Sequence, residues 1–126
     1  MTSTDLDRMP VSAVVSELVG VLGRTYVKAL AGVSDRKLVA SWMSGAAGMQ
    51  PRRDRAVRLA LQTARVLMQR YDATTVQSWL AGQNSRLARR SAGAMIREIA
   101  IGGISDDEVE QHAKAILDAA HVSMIS

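Results

Sequence analysis

The chain has 126 residues, a formal net charge of +4 and 48% hydrophobic residues, which is enough apolar material for one hydrophobic core but not for two. It contains no cysteine, which excludes disulfides and thiolate metal sites and is compatible with a reducing compartment. Because no leader-like segment and no run of roughly 18 apolar residues is present, we expect one compact cytoplasmic domain with no membrane partner.

The charges are distributed unevenly along the chain. Residues 51–100 contain ten Lys/Arg and three Asp/Glu, whereas residues 101–126 contain one Lys and five acids. Thirteen of the sixteen cations are arginine, whose planar guanidinium suits phosphate and carboxylate partners. The basic middle is compatible with a nucleic-acid partner, but equally with ordinary solvated helix faces.

The first predicted element follows a short polar segment. We expect residues 1–8 to be frayed. From Val11 to Leu22 the apolar residues recur at steps of three and four, which predicts an amphipathic helix. Pro10 is suited to the beginning of this helix and Gly23 to its end.

Two shorter helices are predicted next, separated by a glycine-containing corner. The first runs from Thr25 to Ala31 and the second from Ser34 to Met43, with Ser34 as its N-cap. A helix of about seven residues, a tight corner and a helix of about ten are typical of a helix-turn-helix, whose second helix enters the major groove of DNA. An ordinary helical hairpin is the alternative.

The predicted second helix of this pair has an apolar and a polar side. Its inward side carries Trp42, which we expect to be buried in the core. Its outward side carries Arg36 and Lys37 at the end where base edges are normally reached, together with the small residue Ser41. We therefore predict that these three residues read bases. Phosphate contacts are predicted for Ser34, Arg52, Arg53 and Arg55.

The second half of the chain is also predicted to be helical. The longest helix runs from about Arg52 to Tyr71 and has apolar residues on two sides, so we expect it to be covered on both. Asp72 and Ser91 are predicted N-caps of two further helices.

The last helix has a clear start at Ser105 and Glu108, which match a capping box. No segment alternates with period two, and no strand is expected. The predicted fold is all-α. Residues 9–50 form the helix-turn-helix unit, which packs on a long central helix and a C-terminal helical part within residues 51–126.

Several short motifs resemble one protein family. They are Val39-Ala-Ser-Trp42-Met-Ser-Gly45, Pro51 with Arg58-Leu59, Trp79, and Asn84-Ser-Arg-Leu87, and together they resemble the Xre/MbcA/ParS-like antitoxins of RES-Xre toxin–antitoxin systems. The resemblance extends from about Leu18 to Ile99. It implies an Xre-type helix-turn-helix that represses its own operon, and a C-terminal part that binds a RES-domain toxin, an enzyme that destroys NAD. It also implies a homodimer.

The resemblance places candidate toxin contacts in two segments. One is the Asn84–Leu87 segment, with Asn84, Arg86 and Leu87, and the other is the C-terminal end, with Val122, Met124 and Ile125. The apolar end is also compatible with folding back onto the long helix or with packing against a second subunit.

No catalytic or metal-binding pattern is expected to be functional. Ser34 and Lys37 match S-x-x-K without the companion motifs of an acyl-transfer enzyme, and His112 and His121 lack further ligands and are predicted to lie on the surface. We predict a non-enzyme without cofactor or metal. Alternatives to the antitoxin are a stand-alone transcription regulator that dimerises through its C-terminal helices, and a helical adaptor that does not bind DNA.

Overall fold

A computed structural model describes residues 3–125, and this part of the chain is mostly helical, which confirms the predicted all-α class. None of its helices combines the length and the apolarity needed to cross a lipid bilayer. The helices are α1 (Ser3–Arg8), α2 (Val11–Leu22), α3 (Arg24–Leu30), α4 (Arg36–Ser44), α5 (Pro51–Met68), α6 (Ala73–Ala81), α7 (Ala92–Ile101) and α8 (Asp106–Ile125).

The expectation that no strand is present was wrong for one short segment. The strands β1 (Gln83–Asn84) and β2 (Arg90–Ser91) form an antiparallel pair on either side of a 3₁₀ helix at Ser85–Leu87. Each strand has only two residues, which is too short to produce a visible alternation of apolar and polar positions.

The N-terminal segment is more ordered than the sequence indicated. Ser3–Arg8 is helical and the side chain of Leu6 is buried. Arg58 on α5 donates to the carbonyl oxygens of Leu6 (2.9 Å) and Met9 (2.8 Å). A guanidinium about fifty residues away thus binds the backbone of the described part of this segment, residues 1 and 2 lie outside the described residues, and the fraying of residues 1–8 stays a prediction.

The long helix α5 lies at the centre of the described part. It contacts α2 on one side and α7 and α8 on the other, as expected for a helix covered on two sides. Leu59 and Leu61, which lie on different sides of the helix, are both fully buried. Buried Thr63 satisfies its hydroxyl by donating to the carbonyl oxygen of Leu59 (2.8 Å). All the buried apolar side chains belong to one cluster.

Three of the predicted helix starts are confirmed. Asp72 accepts from the backbone N–H of Thr75 (2.9 Å), and Ser91 accepts from that of Ala94 (3.0 Å). The capping box is present as well. Glu108 donates its N–H to the hydroxyl of Ser105 (3.2 Å), and its carboxylate accepts from the N–H of Ser105 (3.3 Å).

The predicted N-cap of α4 was wrong by one residue. Asp35, rather than Ser34, is in the extended conformation before the helix, and its carboxylate accepts from the N–H of Lys37 (2.9 Å). Both residue types are good N-caps, so residue type alone did not distinguish them. Ser34 is exposed in the preceding turn.

Candidate nucleic-acid interface

The turn between α3 and α4 depends on one glycine. Gly32 has φ +68°, a left-handed conformation that is unfavourable for other residues. A Cβ atom at this position would lie 2.5 Å from Cγ2 of Ile101 at the end of α7. The side chain of Ile101 therefore packs directly against the corner, so the turn is fixed both by its backbone conformation and by its neighbour.

Helix α4 is attached to the rest of the molecule through its apolar side. Val39 and Trp42 are buried, and α4 contacts α2 and α3. The indole Nε1 of Trp42 donates to the carbonyl oxygen of Gly48 (3.1 Å), which joins the helix to the loop that follows it. At the C-terminal end Gly45 has φ +79° and closes the helix in the left-handed conformation.

The opposite side of α4 is open to solvent. Arg36, Lys37 and Ala40 are exposed, and Ser41 is half-buried. The charged side chains of Arg36 and Lys37 make no hydrogen bond or ion pair with any residue between 3 and 125. The small residues at positions 40 and 41 leave the middle of this face flat, so the face has two free cations at its start and little steric obstruction after them.

Two of the arginines predicted to hold phosphates are instead bound within the protein. Arg52 donates to the carbonyl oxygen of Ile104 (2.9 Å) and to the carboxylate of Asp106 (2.7 Å). Arg55 donates to the carboxylate of Glu110 (3.1 Å). These contacts join the start of α5 to the acidic start of α8. Acids distant in the sequence thus bind both residues within the protein, and their phosphate contacts stay predictions.

Arg53, the third predicted phosphate contact of α5, is bound to the α3–α4 turn. Its Nε donates to the carbonyl oxygen of Ala31 (3.1 Å), and its NH1 group lies 3.5 Å from the side-chain oxygen of Gln50. Both of these acceptors are uncharged, so they do not neutralise the positive charge of Arg53. The guanidinium is nevertheless oriented toward the turn. Arg53 therefore holds the turn in place.

A basic cleft lies between α3 and α4. It has a volume of about 430 Å³ and is lined by Arg24, Thr25, Lys28, Arg36 and Val39. None of these residues is acidic. Within the described ranges, the charged ends of the three cations have no hydrogen-bonding or ion-pairing partner.

The sequence interpretation missed Arg24 and Lys28. They are four residues apart, so on a helix they lie on the same face. No acidic residue occurs between Glu17 and Asp35, so no local partner is available to either of them. That combination was a signal in the sequence that these cations are not paired.

The first predicted toxin-binding segment is only partly accessible. The side chain of Asn84 accepts from the N–H of Arg86 (2.9 Å) and caps the 3₁₀ helix. Leu87 is 4% exposed and belongs to the core, so its predicted contact with a toxin is corrected to a packing role. Arg86 remains exposed.

The β1–β2 segment holds an unusual backbone. Ala88 and Arg89 have φ values of +55° and +66°, which for residues with a Cβ costs about 1 to 3 kcal/mol each. Arg89 is exposed, whereas Arg90 is paired with the carboxylate of Glu98. The segment therefore presents the exposed side chain of Arg89 from a strained backbone.

The C-terminal end of α8 folds back onto α5 and α6. Tyr71 donates its hydroxyl to the carbonyl oxygen of Ser123 (2.7 Å), and the indole of Trp79 donates to the hydroxyl of Ser123 (2.9 Å). Arg70 donates to the carbonyl oxygen of Met124 (2.8 Å). These contacts agree with folding back of the apolar end, whereas its contact with a toxin or with a second subunit stays a prediction.

The three predicted toxin contacts in this end differ in exposure. Val122 and Met124 are half-buried, whereas Ile125 is 85% exposed. Ile125 is therefore the member of this set that is most accessible to a partner.

His112 differs from the surface histidine that was predicted. Its side chain is 15% exposed and its Nε2 lies 3.0 Å from the carboxylate of Glu98. Burial by itself raises the pKa of Glu98, but hydrogen bonds from His112 and Arg90 outweigh it and leave that pKa below its ordinary value. In the described part of the chain, no three His, Asp or Glu side chains are grouped so that they could hold a metal ion.

Comparisons of the chain with protein-family models, with curated proteins and with solved structures found no match. The functional interpretation therefore depends on the geometry of the α3–α4 unit and on the motifs in the sequence.

Proposed function

We propose that this protein is a DNA-binding antitoxin that represses its own operon and neutralises a RES-domain, NAD-degrading toxin. In this proposal α3 and α4 form a helix-turn-helix, and α4 is the helix that enters the major groove. The antitoxin assignment derives from the resemblance of the sequence motifs, whereas the DNA-binding part is supported by the geometry described above.

The observation that carries the proposal is the two-sided character of α4. Trp42 holds the back of the helix in the core, and the exposed front presents Arg36 and Lys37 without internal partners. Leaving two adjacent cations unpaired does not stabilise the fold, but it suits a polyanionic ligand, because contacts with phosphates release counter-ions and contacts with base edges form hydrogen bonds.

The residues of this unit have different expected roles. Arg36 and Lys37 can reach the acceptor atoms of guanine, and Ser41 contacts bases in the middle of the groove. Ser34, which is exposed before the helix, is suited to a phosphate oxygen. Because α4 is anchored to α2 and α3, these side chains are presented by a rigid support.

The toxin-binding part of the proposal is limited to the accessible candidates. Arg86 is exposed on the capped β1–β2 segment, and Ile125 is exposed at the end of α8. Asn84 contributes by shaping the segment that holds Arg86. Half-buried Val122 and Met124 are reached by a toxin only at their exposed edges.

A stand-alone transcription regulator that dimerises through its C-terminal helices is the second candidate function. The hydrogen bonds that fix Ser123 and Met124 to the segment between α5 and α6 and to α6 itself favour it. A tail that is fixed on its own domain is less suited to reach into the pocket of another protein. The operator-binding part is the same in both candidates.

The DNA-binding part is tested by fluorescence anisotropy with DNA from upstream of the gene and with a scrambled duplex. We expect preference for the upstream DNA, and a loss of about 1 to 3 kcal/mol with reduced preference for Arg36→Gln. Arg8→Gln removes an exposed charge from α1 and is the matched control. Equal, weak binding of both duplexes would contradict the proposal.

The antitoxin part is tested by co-expression with the product of the adjacent gene, followed by pull-down and an assay of NAD consumption. The antitoxin predicts a stable complex and suppressed NAD loss, both weakened by Arg86→Glu or Ile125→Asp. A protein that binds its upstream DNA but forms no such complex would be the stand-alone regulator.

A further inference from the structure

The basic cleft between α3 and α4 has a composition that the fold does not require. Arg24 and Lys28 come from one helix and Arg36 from the next, and the three cations converge on a volume of about 430 Å³ without any acidic lining residue. Like charges spaced four apart on a helix repel each other and destabilise the helix. An unoccupied cleft of this kind is therefore unfavourable.

Lys28 is the clearest case of a cation without a partner in this cleft. It is half-buried, and its ammonium group has no hydrogen-bond acceptor among residues 3–125. A cation without a partner adds no ion-pair or hydrogen-bond energy to the fold and remains available to an anionic ligand. The cations of α5, in contrast, are satisfied by acids and carbonyls.

We infer that this cleft is a phosphate-binding site. Two guanidinium groups and one ammonium group, approaching from two helices, match the several oxygens of a phosphate group. The hydroxyl of Thr25, which also lines the cleft, is suited to donate a further hydrogen bond. Val39 forms the apolar floor and holds α4 against α3.

The phosphate can come from two sources with the same chemistry. One is the DNA backbone. This source rests on the proposed function, because α4 must then lie in the groove while α3 contacts the phosphates of the adjacent strand. The other is a free phosphorylated small molecule. Since Arg36 belongs both to the cleft and to the exposed face of α4, a free phosphorylated ligand in the cleft would compete with DNA.

The test measures both sources with the full-length chain. Inorganic pyrophosphate is titrated into the protein and followed by calorimetry, and DNA affinity is measured by anisotropy over a range of salt concentrations. The variants are Arg24→Gln and Lys28→Gln, each made singly, with Arg8→Gln, at an exposed arginine of α1, as the charge-matched control. Urea unfolding verifies that each variant is folded.

We expect Arg24→Gln and Lys28→Gln each to weaken phosphate binding about 5-fold or more, whereas Arg8→Gln leaves it unchanged. If DNA is the source, each variant weakens all duplexes alike and lowers the slope of log affinity against log salt by about 1. If a free phosphate is the source, each variant weakens pyrophosphate binding and leaves DNA affinity and its salt dependence unchanged.

The outcomes separate this inference from the proposed function. Pyrophosphate binding that depends on Arg24 and Lys28, with no DNA binding by the wild-type protein, would support the cleft and overturn the proposed function. DNA binding and pyrophosphate binding that are both unaffected by Arg24→Gln and Lys28→Gln, in folded variants, would overturn the cleft and leave the proposed function standing.

Discussion

The cations of α5 and those of the α3–α4 unit differ in what surrounds them. On α5, Arg52 and Arg55 are neutralised by acids of α8. On α3 and α4, the charged groups of Arg24, Lys28 and Arg36 have no partner in the described chain. The number of cations in a segment therefore did not indicate which of them are paired within the protein. The acids that lie near them in space did.

The largest expected effect concerns the anchor that allows α4 to present its cations. Trp42→Ala should lower the free energy of unfolding by about 3 to 5 kcal/mol, because it removes a fully buried indole, and its hydrogen bond to Gly48 is lost too. Urea unfolding measures the change. Trp79→Ala, at a half-buried indole on α6, is the control and should cost less. A loss below about 1 kcal/mol for Trp42→Ala would contradict the burial described.

The next effect concerns the α3–α4 turn. Gly32→Ala should destabilise by about 1 to 2 kcal/mol from the left-handed backbone, and further through the contact with Cγ2 of Ile101. Adding Ile101→Ala should relieve only the second part, which thermal unfolding of the single and double variants can separate. A double variant no more stable than the sum of the two single effects predicts would contradict the described packing of Ile101 on the turn.

Arg58 represents the structural cations of α5. Arg58→Gln should destabilise by about 1 to 3 kcal/mol, because the carbonyl oxygens of Leu6 and Met9 lose their charged donor. Arg36→Gln is the matched control and should change unfolding by less than about 0.5 kcal/mol. Equal losses of unfolding free energy for the two variants would contradict the distinction between the structural cations of α5 and the unpaired cations of α3 and α4.

The smallest effect is a pH dependence of stability that arises from the pair of Glu17 and Arg65. The hydrogen bond from Arg65, joined by its charge and opposed by burial, lowers the pKa of Glu17. The ionised Glu17 therefore stabilises the folded protein at pH values above the pKa that Glu17 has in the unfolded chain. This contribution is lost as the pH falls through the lower pKa of Glu17 in the folded protein.

We expect Glu17→Gln to cost less than about 1 kcal/mol near pH 7, since the pair is partly exposed. The difference between wild type and variant should shrink toward acidic pH in urea unfolding. A difference that grows on acidification would show that the pKa of Glu17 is raised instead.

The parts of the fold that depend on neighbouring residues were predictable from the sequence. The caps at Asp72 and Ser91 and the capping box at Ser105 join atoms three residues apart, and the apolar periodicity of α5 defines its buried sides. The apolar and polar sides predicted for α4 agree with the burial of Trp42 and the exposure of Arg36 and Lys37.

The partners of the α5 arginines were not predictable in this way. Arg52 and Asp106 are 54 residues apart in the sequence, and Arg55 and Glu110 are 55 apart. No local pattern indicates such pairs, because they form only when α8 packs on α5. The burial of Leu87 against α8 is another consequence of that packing.

The most direct test measures two free energies for each of two variants, Arg36→Gln and Arg52→Gln. We predict that Arg36→Gln loses about 1 to 3 kcal/mol of binding to the upstream DNA with unchanged stability. Arg52→Gln, in contrast, should lower the free energy of unfolding and leave DNA affinity unchanged in the folded protein. If Arg52→Gln weakened DNA binding as much as Arg36→Gln without affecting stability, the division between structural and ligand-binding cations would be contradicted.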